Sequence, residues 1–288
     1  MRLKSDLLLL LVTLIWGSAF AVMRVAARYE IIFLMKGSRF LLGGLLLLPF
    51  ARVNKNMGWR NAIPVVLAGV ALYGAAALQQ AGLKTTPAGN GGFITILYVV
   101  IVPMILWIGW KEKPTWKTWC AVSLAVLGGY LLSTNGTYKI ATGDLFIFAG
   151  SFFWASHVVI VGKTQATMPP VVFACGQYLV CGILNLITGA FFERPTPEVM
   201  LTLTPAILYT AIISIAVGFT LQVIAQKHTP TNEAAIILSL EAAFAALFGW
   251  IFLRENLQPT QIGVCALIIA AVLLVQLGGG KMSSLEIS

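Results

Sequence analysis

The sequence predicts an all-α integral membrane protein with ten transmembrane helices, arranged as two inverted five-helix repeats. Its hydrophobic fraction is 59% and its charged fraction 10%, with a mean hydropathy of +0.90, whereas soluble domains carry about 25% charged residues. Apolar runs of about 20 residues, the length of a membrane-spanning helix, recur along the chain. The second half repeats landmark residues of the first half. Because five spans is an odd number, the second half is expected to enter the membrane the other way up.

The ten expected spans follow one another with short connections rich in proline, asparagine and basic residues. No connection has room for a soluble domain. We expect the first repeat to cover residues 1–140 and the second to cover 141–288. The spans are placed near 6–24, 32–51, 61–82, 87–110, 116–134, 143–163, 169–191, 201–226, 231–253 and 259–278.

The duplication is visible as residue pairs at two constant offsets. These pairs are Asp6–Asp144 and Trp16–Trp154 at 138 (144−6), and Gln79–Gln222, Pro87–Pro230, Tyr98–Glu241 and Glu112–Glu255 at 143 (230−87). Internal similarity of this kind is typical of transporters built from inverted repeats. Because the first helix has a counterpart in the second half, we expect it to be a retained span rather than a cleaved signal peptide.

The basic residues and the cysteines further limit which classes of membrane protein the sequence fits. The formal net charge is +9, but the basic residues lie between apolar runs, so they indicate topology rather than nucleic-acid binding. Their excess on one side, clear in the first half, predicts that both termini are cytoplasmic in a bacterial inner (plasma) membrane. No C-x-x-C spacing occurs, so neither a disulfide framework nor a metal site is expected. The cysteines are treated as packing residues: Cys120, Cys175, Cys181 and Cys265.

Several short motifs resemble the ten-helix EamA-type branch of the drug/metabolite transporter superfamily. They are Trp16-Gly17-Ser18 in the first helix, Arg39-Phe40 in the second, Leu240-Glu241 in the ninth, and the terminal Glu112 and Glu255. The resemblance covers essentially the whole chain. It implies a central cavity between the third, fourth, eighth and ninth helices, paired helices that act as gates, and small polar metabolites such as amino acids as exported substrates.

The chain departs from this family in one respect. The ninth-helix glutamate is often followed by proline in the family, whereas Ala242 follows Glu241 here, which removes the residue that would bend the helix. Pro103 in the fourth helix is a candidate for the same purpose in the other half, because an intrahelical proline removes a backbone hydrogen bond.

Charged side chains within the spans are the first candidates for a functional site. Apart from residues near helix ends, these are Lys36, Arg39 and Glu241. Such residues usually face a bundle interior or an aqueous cavity. Two cations and one anion leave an unmatched positive charge, which favours a substrate with a carboxylate and leaves Glu241 for an amino group, for Arg39 or for a proton. The alternatives are snorkelling of Lys36 and Arg39 to the headgroups and a structural ion pair.

Aromatic and amide side chains extend the predicted substrate-binding set. Trp16 and Trp154 lie too deep for the interfacial belt, so they are expected to form aromatic walls or to pack helices. Tyr98, Gln79 and Gln222 are placed to reach the midplane, where the alternative is hydrogen bonding between helices.

Further polar residues have predicted roles of other kinds. His157 is a candidate for proton coupling together with Glu241, or a satisfied core histidine. Glu112 and Glu255 meet the negative end of a helix dipole and therefore need partners, for which we expect Lys113, Arg254 or the start of the next helix. Asp6 and Asp144 are expected to cap helix starts.

These features together predict a secondary transporter that exports small polar metabolites such as amino acids by alternating access, with proton coupling as a candidate mechanism. A polyspecific efflux pump for cationic drug-like compounds is the alternative; a channel and an intramembrane enzyme are the other classes. The sequence has no H-E-x-x-H and no G-x-S-x-G motif for an enzyme. The expected partners are a small-molecule substrate and the lipid bilayer. No cofactor, metal, nucleic acid or particular oligomeric state is predicted.

Overall fold

The computed structural model describes residues 2–52, 58–134, 141–164, 168–255 and 269–270. Most of these residues are helical, and eight of the described helical stretches are long and apolar enough to cross a membrane. They are Arg2–Tyr29, Phe33–Phe50, Trp59–Gly82, Ala88–Trp110, Thr142–Thr164, Pro170–Phe192, Pro197–Ala225 and Thr231–Leu253. These agree with eight of the predicted spans, and the helix Trp116–Thr134 coincides with the fifth. The predicted tenth span, 259–278, lies outside the described residues except for 269–270.

Several spans consist of more than one helix. The helices of the first half are α1 (Arg2–Ala26), α2 (Phe33–Leu47), α3 (Ala62–Gly82), α4 (Ala88–Ile96), α5 (Tyr98–Trp110) and α6 (Trp116–Thr134). Those of the second half are α7 (Thr142–Thr164), α8 (Pro170–Phe192), α9 (Pro197–Tyr209), a π-helix (Thr210–Phe219), α10 (Thr220–Ala225), α11 (Thr231–Leu238) and α12 (Glu241–Leu253).

The fourth and ninth spans are interrupted at equivalent places. α4 gives way to α5 at Leu97, and α11 gives way to α12 at Ser239 and Leu240. Neither break lies at a proline: Pro103 lies inside α5, and the expectation that it bends this span stays a prediction. A hydroxyl group bonds a preceding backbone carbonyl near each break, Thr95 to Gly91 at 2.8 Å and Ser239 to Ile236 at 2.6 Å. Such bonds compete with the helical pattern.

Close packing between α2 and α8 joins the two halves of the chain. Gly37 and Gly44 on α2 and Gly182 and Gly189 on α8 lie seven residues apart in each helix (44−37, 189−182). A Cβ added at Gly182 would come 2.6 Å from the backbone nitrogen of Leu41. Small residues at such contacts let helices in a membrane approach closely.

Two carboxylates at the ends of helices, Glu112 and Glu255, contact residues of other helices. Glu255 accepts a hydrogen bond from the Ala88 nitrogen at 3.2 Å, at the start of α4. Glu112 pairs with Lys163. The expected partners, Lys113 or the next helix, were therefore wrong for Glu112; for Glu255 the next helix lies outside the described residues, and that expectation stays a prediction. The physical reason for the observed contacts lies in the residues before the two glutamates, because Lys111 and Arg254 adopt the left-handed conformation, with φ of 60° and 55°, and turn each glutamate back over its own helix.

The predicted capping role of the two aspartates is confirmed for Asp144, which accepts a hydrogen bond from the Ala141 nitrogen at 2.8 Å. Both aspartates also bind a threonine of the opposite half. Thr229 donates to Asp6 at 2.8 Å, and Thr86 donates to Asp144 at 2.6 Å. These two equivalent hydrogen bonds are called the cross-half links below.

Candidate functional site

A buried cavity lies among the first, second, third, fourth, sixth, eighth and ninth spans. This set is wider than the third, fourth, eighth and ninth helices expected from the family resemblance. The space that the centres of water molecules can occupy in it is about 30 Å³, enough for about two water molecules. It is lined by Trp16, Ala19, Phe20, Met23, Arg39, Gln79, Thr95, Tyr98, Trp154, His157, Val158, Ser214, Phe219, Gln222 and Glu241. The structure thus brings the predicted substrate-binding residues and His157 to one place, whereas the candidate Lys36 does not line the cavity.

Three aromatic rings form one wall of the cavity. The ring centroid of Phe219 lies 4.4 Å from that of Trp16 and 5.8 Å from that of Trp154, with which it is stacked at an angle of 18°. Trp16 donates to the Ser214 carbonyl at 3.4 Å. Among the described residues, the indole nitrogen of Trp154 has no hydrogen-bond partner. This leaves a buried donor available to a ligand.

The carboxyl of Glu241 reaches the cavity at the break in the ninth span. Glu241 is the first residue of α12, and its repeat counterpart Tyr98 is the first residue of α5. The start of a helix carries a partial positive charge, which favours a carboxylate there. The Tyr98 hydroxyl lies close to the Glu241 carboxyl but outside hydrogen-bonding geometry. Glu241 is only 3% exposed.

The two intramembrane cations are buried instead of snorkelling to the headgroups. Lys36 is 1% exposed and Arg39 is 3% exposed. Arg39 donates to the Ser214 hydroxyl at 3.2 Å and contacts the Met23 sulfur at 2.8 Å. Its Nε has no partner within the described part of the chain. The described ion pairs do not include one between Arg39 and Glu241. Each side chain is therefore available to bind a ligand of opposite charge.

The amide side chains have mixed surroundings. Gln79 donates to the Thr95 hydroxyl at 3.2 Å. Gln222 donates to Gln226 at 3.0 Å, while its carbonyl oxygen has no partner among the described residues. Gln79 therefore bonds between helices, as the alternative interpretation expects, and Gln222 retains a free acceptor in the cavity.

His157 lies at the edge of the aromatic wall. Its Nε2 bonds Gln177 at 2.9 Å, and its ring meets Phe219 edge-on with centroids 5.8 Å apart. Nδ1 has no partner in the described residues. One ring nitrogen of His157 is thus hydrogen-bonded to Gln177, and the other is available to a proton or a ligand.

Four lining residues with evident contacts were missed from the sequence. These are Met23, Thr95, Ser214 and Phe219. Ser214 and Phe219 belong to the π-helix, a form that occurs frequently at functional sites. It begins where the Thr210 hydroxyl bonds the Ala206 carbonyl at 2.6 Å. Polar Thr95 and Ser214 inside apolar runs were a usable signal, but Met23 and Phe219 look like ordinary membrane residues.

The family becomes clear from comparison with known proteins. The model of the EamA-like transporter family matches residues 3–134 and again 141–277. The chain belongs to the EamA-like transporter family. This confirms the resemblance predicted from the short motifs, and it identifies the chain as a membrane transporter rather than an enzyme.

Individual relatives of this EamA-like transporter support the same assignment. An archaeal protein of Archaeoglobus fulgidus, described as an "uncharacterized transporter", is 34% identical over 278 residues, covering 96% of this chain and 87% of the relative. The threonine/homoserine exporter RhtA of Escherichia coli is 28% identical over 237 residues, covering 81% of this chain and 78% of RhtA. A solved crystal structure with 18% identity has a TM-score of 0.77, covering 96% of this chain and 98% of the other. That last similarity concerns the fold alone.

Proposed function

We propose that this transporter is a secondary carrier that exports small polar metabolites, such as amino acids, by alternating access. The proposal rests on one observation: Arg39 and Glu241 line the same cavity without pairing with each other. A zwitterionic amino acid offers one charge to each of them. The name of the relative RhtA, a threonine/homoserine exporter, supports amino acids of that size.

The proposed architecture has ten spans in two inverted repeats, residues 1–140 and 141–288, around the central cavity. Both termini are cytoplasmic in a bacterial inner membrane. Two similar halves of opposite orientation can rock about one site and expose it alternately to either side. The equivalent breaks before Tyr98 and Glu241 and the cross-half links support this arrangement.

Proton coupling is part of the proposal and involves Glu241 and His157. Both are buried in the cavity wall, and both can bind a proton in exchange for substrate. Glu241 would carry the proton when the amino group of the substrate is absent, because an isolated buried carboxylate is costly in a membrane.

Export of cationic drug-like compounds is the second candidate. The observation in its favour is the wall of Trp16, Trp154 and Phe219, since aromatic faces attract cations. The Arg39 guanidinium lines the same cavity and repels a cation, so we place this candidate second.

Flux through purified protein in proteoliposomes tests the proposal. The substrates are threonine, homoserine, other amino acids and a lipophilic organic cation, each with and without a proton gradient. We expect saturable amino-acid flux that is stimulated by substrate on the opposite side and accelerated by the gradient. Saturable flux of the cation with none of the amino acids would select the second candidate, and non-saturable flux would indicate a channel.

A further inference from the structure

The Met23 side chain lies between two buried cations. Its sulfur is 2.9 Å from the Lys36 Nζ and 2.8 Å from an Arg39 terminal nitrogen. These contacts are shorter than the two cysteine-sulfur hydrogen bonds of the structure, at 3.4 and 3.5 Å. Both cationic nitrogens are thus no more than 5.7 Å apart (2.9+2.8). Like charges at this separation repel each other strongly away from water.

A thioether is a poor counterpart for two positive charges. Sulfur is only a weak hydrogen-bond acceptor, and buried charges in proteins are normally paired with an opposite charge. The position of the Met23 sulfur is the place where an anionic group would meet both cations. Since Met23 and Arg39 line the cavity while Lys36 does not, moving the thioether aside would bring Lys36 into reach of a ligand.

The carboxylates in the described part of the chain do not supply this anion. The chain contains ten Asp and Glu residues, of which only Glu286 lies outside the described residues. No described carboxylate is in salt-bridge contact with Lys36 or Arg39. Apart from Glu241 in the cavity and Glu198 near the start of α9, the described carboxylates have partners near helix ends: Asp6 with Thr229, Glu30 with Lys84, Glu112 with Lys163, Asp144 with Thr86, Glu193 with the start of α2, Glu233 with Arg2, and Glu255 with Ala88.

We propose that Lys36 and Arg39 together bind the carboxylate of the substrate, and that the Met23 thioether occupies this place until the carboxylate displaces it. The inference rests on the proposed function and adds Lys36 and Met23 to its site. Two oxygens allow one carboxylate to bond both cations, and the free Arg39 Nε offers a further donor. The Met23 backbone is held by Gln80, which donates to its carbonyl at 3.2 Å, so only the flexible side chain needs to move.

Equilibrium binding to the purified full-length protein tests the role of Lys36. The probes are L-threonine, L-threonine methyl ester, which lacks the negative charge, and sodium chloride at matched ionic strength. We expect the ester to bind at least about tenfold more weakly than threonine, because hydrogen bonds to charged groups are the strong ones. Lys36→Met should weaken threonine binding by a similar factor and leave ester binding unchanged. Equal losses of affinity for threonine and for the ester in Lys36→Met would overturn the proposal. Displacement of threonine by an equal concentration of chloride would also overturn it, because it would indicate a site for small inorganic anions.

Substitution of Met23 by glutamate, which places a carboxylate beside both cations, provides the second test. Met23→Gln is its uncharged control. Met23→Glu should raise the midpoint of thermal unfolding by a few degrees without ligand and abolish the stabilisation by threonine. Met23→Gln should not raise the midpoint, because its amide carries no charge. If threonine stabilises Met23→Glu as much as the unaltered protein, the anion site is wrong and the proposed function stands. If no amino acid stabilises the unaltered protein but Met23→Glu still raises the midpoint, the anion site stands and the proposed substrate is wrong.

Discussion

At the scale of single residues, the cavity has several buried polar atoms without a hydrogen-bond partner. Buried polar groups in proteins almost always have a hydrogen-bond partner. Within the described residues, nine buried side-chain atoms have none, and five of these belong to Arg39, Tyr98, Trp154, His157 and Gln222. All five residues line the cavity. This concentration of unmet donors and acceptors is what a site for a polar substrate requires.

Replacing the intramembrane carboxylate tests its role directly. Glu241→Gln keeps the shape of the side chain and removes its charge, so we expect at least about a tenfold loss of amino-acid flux, with the protein still folded in the membrane. Glu112→Gln is the matched control, because Glu112 forms a half-exposed pair with Lys163 that contributes little. Flux assays in proteoliposomes measure both. Undiminished flux in Glu241→Gln would remove this residue from the mechanism.

The aromatic wall makes a prediction about stability. Phe219 is 3% exposed and touches the rings of Trp16, Trp154, His157 and Tyr178. Phe219→Ala should therefore cost about 3 to 5 kcal/mol of unfolding free energy. Phe191→Ala, at a side chain that is 75% exposed, should have a much smaller effect. Thermal unfolding in detergent compares the two, and equal losses would show that Phe219 is not a packing centre.

At the scale of helices, the two equivalent breaks differ in the packing beside them. On one side, α4 and α12 meet through small residues, and a Cβ added at Gly92 would lie 2.9 Å from the Ala245 Cβ. The repeat counterpart of Ala245 is Val102 (245−143), which is larger. α4 and α12 therefore approach closely, and Glu255 at the end of α12 caps the start of α4. We therefore expect the contact between α4 and α12 to be sensitive to a larger side chain at Gly92.

Enlarging one glycine tests the close approach of α4 and α12. Gly92→Val should push the two helices apart, with a cost of about 1 to 3 kcal/mol for overpacking, and reduce flux. Gly109→Val is the control, because nothing lies within 4 Å of a Cβ at Gly109. Thermal unfolding and flux are the measurements. A stable and fully active Gly92→Val protein would contradict the close packing described here.

At the scale of the whole molecule, the cross-half links relate the repeats to each other. Asp6 of the first half binds Thr229 of the second, and Asp144 of the second half binds Thr86 of the first. If the repeats are inverted, as proposed, the two links lie at opposite faces of the membrane. Opening the cavity to one face is then expected to break the link at that face while the other stays intact.

Removing each link separately should shift the conformational equilibrium in opposite directions. We expect Thr229→Val to favour the state open at the face of Asp6, and Thr86→Val to favour the state open at the face of Asp144. The measurement is labelling by a membrane-impermeant thiol reagent, applied from either face, of Ala19→Cys in a background without other cysteines. Thr115→Val, which alters a hydroxyl in an exposed connection, is the control. Increased labelling from the same face in both variants would contradict inverted repeats.

Much of this architecture is predictable from sequence, because hydropathy alone sets where a helix can cross a membrane. The duplication placed Tyr98 opposite Glu241, and the rarity of intramembrane charge singled out Arg39 and Glu241. The helix breaks were not predictable from proline: Pro103 lies inside α5, and the hydroxyls of Thr95 and Ser239 are found near the breaks instead.

What the sequence by itself determined is the class of protein, the positions of the spans and the set of costly polar residues. Only the tertiary structure decided their partners: Arg39 and Lys36 meet at Met23 rather than at Glu241, and Phe219 completes the aromatic wall. The physical reason is that a transmembrane helix is apolar on all sides, so its sequence does not show which face meets lipid and which meets another helix. That choice is made by packing among helices distant in the chain.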